Sequence, residues 1–184
     1  MVIKEFYFGG CTSLNTETGE SAAFQNDSYV ILYNNASDFC FAAINPANSN
    51  ATNKYRVDGE LVYEAQGWWP AGQAIWWVET TVTIPPYSQI LVAIKGAVDH
   101  TITYPGSVNL SNADYVCYDP ESGFNQAKSY PAPSATIPES NYLQTAPYSA
   151  GTAWTLSVTA PAFVVFKHSD PNGLSTNTAA YDVI

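Results

Sequence analysis

The sequence predicts an all-β protein, an antiparallel β-sandwich of about eight to ten strands with a jelly-roll-like plan. Three observations carry that prediction. No window of a dozen residues places apolar side chains at helical spacing between sensible caps. Short runs with strand character recur along the chain, with turn residues between them every ~8–12 positions. Several runs, such as ILVAI and FVVF, are apolar on both faces, so they belong in mid-sheet with a cover on each side. At 184 residues and 46% hydrophobic, the chain fits one domain with a real core.

The strands follow in order. Val2–Phe8 is the first, beginning almost at Met1. SYVILYN (Ser28–Asn34) and FCFAAI (Phe39–Ile44) come next, separated by an Asn/Ser/Asp turn. KYRV-DG-ELVYEA reads as a hairpin whose Asp58-Gly59 supplies the positive φ angles of a tight turn. Ala74–Ile84, Ser88–Gly96, Asp99–Tyr104, Asp114–Asp119, Thr152–Ala160 and Ala162–His168 complete the set. Pro85, Pro86 and Pro161 lack N–H donors and mark strand ends or edges. Asp119 to Ala150 is different: five prolines, several tyrosines and little alternation. It reads either as a long surface crossover packed down by its own aromatics, or as an arm laid on a neighbouring subunit. The segment 169–184 reads as a C-terminal tail, a second arm or a last strand.

The stretch GWWPAGQAIWWVETTVTI holds four of the five tryptophans in two doublets. Side chains alternate faces along a strand. Ala74, Trp76, Val78, Thr80, Val82 and Ile84 therefore share the core face, while Ile75, Trp77, Glu79, Thr81 and Thr83 share the other. A tryptophan on the outer face needs a cover of up to ~250 Å². The long loop, a neighbouring subunit or a stacked sugar ring would each serve for Trp77. Trp68 and Trp69, between Gly67 and Pro70, form a loop platform with the same options. With Ile75, Tyr130, Tyr142 and Tyr148, these three tryptophans are the candidate binding or interface residues.

Charge narrows the partners. The net charge is −10 with six scattered basic residues. A phosphate backbone or an anionic membrane would be repelled, so nucleic acid is not expected as a partner and a membrane is disfavoured. The opening MVIKEFYFGG lacks the charged start and long apolar run of a signal peptide, and no run approaches the ~18 apolar residues of a membrane span. Sequons at Asn26, Asn35, Asn50 and Asn109 match the chance yield of an Asn/Ser/Thr-rich chain.

Catalytic chemistry has no foothold. Cys11, Cys40 and Cys117 lie at wide spacings without zinc-ligand patterns and read as buried thiols. His100 and His168 occur in no metal-binding pair, and adjacent Asp99 and His100 would face opposite ways in a strand. No nucleophile elbow, phosphate cradle or dinucleotide fingerprint is present. Glu60 and Glu64, at i and i+4 of one strand, would stand ~13 Å apart, too far for a glycosidase pair. SDPNG (Ser169–Gly173) and YRVDGE (Tyr55–Glu60) read as turns and not as ordered calcium loops. The expectation is therefore a non-enzymatic protein without cofactor or metal.

An uncharged, Asn/Ser/Thr/Tyr-rich surface, a strand from the first residues and a long Pro-rich excursion are similar to small viral jelly-roll capsid, cement and fibre proteins. The resemblance is one of composition. It implies a structural protein of the virion surface that acts through packing, as a homo-oligomer, with trimers suiting jelly rolls, and with other subunits of an assembly. The alternative is a carbohydrate-binding module or lectin that stacks glycans on exposed Trp and Tyr, located in the cytoplasm or outside the cell without a signal peptide.

Overall fold

In the computed structural model the described residues are 2–33, 40–44, 56–57, 60–61, 72–78, 82, 84–126, 130–147, 153–154 and 162–166. They form twelve strands and two single 3₁₀ turns, with no α-helix among them. The strands are β1 (Val2–Tyr7), β2 (Cys11–Leu14), β3 (Ser21–Phe24), β4 (Tyr29–Tyr33), β5 (Cys40–Ile44), β6 (Arg56–Val57), β7 (Glu60–Leu61), β8 (Gly72–Trp77), β9 (Gln89–Ala93), β10 (Tyr115–Val116), β11 (Gln144–Pro147) and β12 (Ala162–Phe166).

Two four-stranded sheets carry the fold. The first runs in the order β1-β4-β9-β10 and the second in the order β11-β8-β5-β12. All pairs are antiparallel except β10, which runs parallel to β9. Their inward residues make one core: Val30, Leu32, Ile90 and Val92 from the first sheet, Ala74 and Trp76 from the second. Val82, Ile84, Phe124, Leu143 and Trp154 fill the space around them. Trp76 anchors the aromatic part, 5.8 Å from both the Phe124 and Trp154 rings.

Alternation along Ala74–Ile84 is as read from the sequence. Ala74, Trp76, Val82 and Ile84 are core residues and Val78 packs against them. Thr80 lies outside the described residues. The strand itself ends at Trp77. Strands β6 and β7 pair antiparallel, with Val57 opposite Glu60, as the hairpin expectation has it, and Asp58-Gly59 lie outside the described residues.

The all-β class and the antiparallel sheets are as expected. Two elements differ from expectation. Asp99–Tyr104 is a 3₁₀ turn and not a strand. Asp99 accepts from the Thr101 amide at 3.0 Å and its hydroxyl at 2.5 Å, and this cap outcompetes the period-2 pattern. Hairpin β2–β3 carries no strand signature in the sequence, because Thr12, Ser13, Ala22 and Ala23 give almost no apolar signal. Its turn is nonetheless encoded: the Asn15 carboxamide accepts from the Glu17 and Thr18 amides, and Gly19 takes φ 73°.

The described residues of 119–150 pack within the chain, as the crossover alternative has it: Phe124, Tyr130, Ile137 and Leu143 are buried, and β11 pairs with β8. Pro147 sits where a donor is not needed, on the edge strand. Asn125 ties the segment down. At φ 58° it donates to the Ile94 and Cys117 carbonyls, both at 3.0 Å, and accepts from the Trp154 amide at 2.6 Å.

Candidate functional site: the outward face of the first sheet

Strand β4 decides the geometry of this face. Val30 and Leu32 point into the core, so Tyr29, Ile31 and Tyr33 point away from it and are half-buried. Register adds neighbours to each side. Tyr7 and Ala93 flank Tyr29; Glu5 and Leu91 flank Ile31; Val2 and Gln89 flank Tyr33. A bulge between Ile3 and Glu5 frees Lys4 from the ladder. Its ammonium donates to the Gln89 side chain and lies 5.9 Å from the centroid of the Tyr33 ring.

The result is a tyrosine ladder in which the tips of Tyr7 and Tyr29 are tied down. Tyr7 and Tyr29 stack at 5.3 Å. The Tyr29 hydroxyl donates to Glu5, and the Tyr7 hydroxyl reaches Asp27 at 3.5 Å. Burial, and then the neighbouring carboxylates, push both phenols up to about 12. They therefore remain protonated donors at any physiological pH.

One end of the face is closed over. Ala97, Leu110, Ala113 and Ile137 cluster with Ala93 and Val116, and Tyr29, Leu91, Tyr118 and Tyr142 pack against them. Beneath that cover sits a buried polar knot. Asp27 is fully buried; Ser107 donates to its Oδ2 at 2.7 Å, while Oδ1 has no hydrogen-bond partner. The Ile94 amide donates to the Ser28 carbonyl at 2.8 Å, so the register carries Lys95 to a position opposite Asp27. The Lys95 ammonium donates to the Gln25 carbonyl at 3.4 Å. Desolvation lowers the Lys95 pKa, and Asp27 opposes that shift.

The knot offers little reactivity. Burial raises the Cys11 thiol and, far more, the Cys117 thiol, which works against thiolate formation. The buried His100 is held near Gly96, with Nε2 2.9 Å from its carbonyl, and desolvation lowers its pKa. Cys11 and Cys117 are free thiols. Among the described residues no three His, Cys, Asp or Glu side chains gather as a metal site, and no helix is long and apolar enough to cross a membrane.

The residues singled out from the sequence lie elsewhere. Trp77 and Ile75 do face away from the core, but they are 7% and 0% exposed within the single chain. No open indole surface is left at Trp77, because the second sheet is covered on both sides there. Tyr130 is buried with its hydroxyl on the Trp154 carbonyl at 3.0 Å, a structural role. Tyr142 is half-buried and meets Tyr118 edge-on at 5.6 Å, on the cover of the first sheet. Trp68, Trp69 and Tyr148 lie outside the described residues. The ladder itself was missed, although Tyr29 and Tyr33 stand at i and i+4 in a strand whose intervening residues are Val, Ile and Leu. That spacing alone puts both phenols on one face.

Comparison with known proteins supplies a family. Residues 85–182, more than half of the chain, match the model described as "Protein of unknown function (DUF4876)". The chain belongs to the DUF4876 family. A crystal structure of a DUF4876 family protein from Bacteroides thetaiotaomicron VPI-5482 has a similar fold, with a TM-score of 0.61 at 19% identity. The match covers 95% of this chain and 44% of that one, so this chain spans less than half the length of its structural relative. No curated protein matches the chain.

Proposed function

We propose that the chain is a non-enzymatic structural subunit that self-assembles through the outward face of its first sheet. The observation that carries this reading is the ladder of Tyr7, Tyr29 and Tyr33: the first two rings stack with their hydroxyls on Asp27 and Glu5, and the Lys4 ammonium stands over the third ring. Fixed tyrosines offer large amphipathic area at small entropic cost on binding, and tyrosine is enriched in protein interfaces. A virion surface is one setting for such a subunit. The relative from Bacteroides thetaiotaomicron is a bacterial protein, and the packing role does not depend on which particle or surface carries it.

Light scattering on the isolated chain tests the reading. A stable mass well above 19.9 kDa is expected, falling to the monomer when Tyr29→Ser and Tyr33→Ser are combined. A monomer at every concentration sinks it. The second reading, glycan binding, is favoured by Lys4, Glu5 and Gln89 standing beside Tyr33, where they would bond hydroxyls around a stacked ring. It requires shifts in the Tyr33 ring protons on titration with sugars, at constant mass.

A further inference from the structure

We propose that two copies of this chain meet across a two-fold axis through the tyrosine face, with Tyr87 as the anchor of the contact. The inference rests on the assembly reading and supplies its geometry. Tyr87 is 91% exposed. It occupies a turn closed by the Ser88 amide on the Pro85 carbonyl at 3.0 Å, with φ 61°. That is the third position of a turn where glycine or asparagine sits without strain. A tyrosine there is disfavoured by the contact between its Cβ and the backbone. Its exposed side chain recovers little by packing inside its own chain. Strain of this kind persists where the residue serves something other than the fold. Pro85 and Pro86 stiffen the turn, so the ring loses little freedom when a partner covers it.

Position links Tyr87 to the ladder. It stands two residues before Gln89, whose register partner is Tyr33, whose own partner is Val2, itself 58% exposed. Charge selects the occupant. Two chains of net charge −10 repel over most of their surfaces. On this face, however, Lys4 and Glu5 stand side by side and sum to zero. In a two-fold contact residue i meets j while j meets i, so adjacent opposite charges are self-complementary. Both groups have capacity left: an ammonium carries three donors and a carboxylate two oxygens, and each has one partner described within the chain. The bulge at Lys4 interrupts β1, the edge strand of its sheet among the described residues, which disfavours continuation of the sheet from edge to edge and leaves a face-to-face contact.

Sedimentation velocity on the full chain, over a concentration series, decides the matter. The wild type should reach twice the 19.9 kDa monomer mass. Lys4→Glu and Glu5→Lys should each weaken the dimer about ten-fold or more, and the double exchange should restore it, because reversing both charges keeps the face self-complementary. Tyr87→Gly should weaken the dimer by a similar factor without lowering Tm, since glycine relieves the turn. A trimer, or an assembly indifferent to all four variants, overturns the two-fold contact and leaves the assembly reading standing. A monomer throughout overturns both.

Discussion

The two sides of strand β4 share one backbone and have opposite fates. Val30 and Leu32 are fully buried between the sheets, whereas Tyr29, Ile31 and Tyr33 are half-buried, with Tyr29 bonded to Glu5 and Tyr33 beneath the Lys4 ammonium of β1. The inward side is stabilised by area removed from water, which is indifferent to direction. The outward side is held by stacking and hydrogen bonds, which fix orientation while contributing less to stability. A surface arranged this way is ordered before anything binds to it.

Mutations on the two sides should separate these contributions. Leu32→Ala should cost about 4 kcal/mol in urea unfolding, because a fully buried leucine leaves a cavity between two sheets. A loss below about 1 kcal/mol would mean that the sheets are not packed there. Asn125→Ala comes next, at about 3 kcal/mol, since it strands two carbonyls and one amide in the interior. Asn125→Gly should cost measurably less than Asn125→Ala, because glycine tolerates φ 58°. Equal losses would remove the backbone from that explanation. Tyr33→Ser should cost under about 1 kcal/mol in the monomer, as a half-buried side chain with one cation above its ring. Were it as costly as Leu32→Ala, the contrast between the faces would disappear.

The smallest effect is on pH dependence. The pKa of His100 is lowered by burial, so the unfolded chain takes up its proton first as pH falls. Its contribution to stability is complete above the ordinary histidine pKa of about 6.5 and is lost progressively below it. Unfolding at pH 7.5 and 5.5 should show a decrease that His100→Gln flattens. An unchanged slope in that variant would assign the decrease to carboxylates.

Much of the fold was legible from local pattern, and the limits are instructive. The apolar runs of β1, β4, β5, β9 and β12 announce themselves because burial on one or both faces leaves a repeat of two or a continuous run. Strands β2, β3 and β11 do not, since they pair through backbone bonds while carrying Thr, Ser, Ala, Gln and Pro. The site was legible only as half of a rule. Alternation placed Trp77 and Ile75 opposite the core, yet not whether that side was open, and the structure buries both. The same rule applied to Tyr29 and Tyr33 would have found the ladder, but not the neighbours that hold it.

By itself the sequence determined the β class, the faces of individual strands and the acidic charge, all consequences of composition and of residues within a few positions of one another. Tertiary structure alone decided that β1, β4 and β9 adjoin, that the Pro-rich segment folds back onto its own core, and that Lys4 and Glu5 flank a row of tyrosines. Those arrangements join residues as distant in sequence as Lys4 and Gln89 or Val30 and Leu143, and which strand pairs with which depends on how all the apolar faces can be buried together.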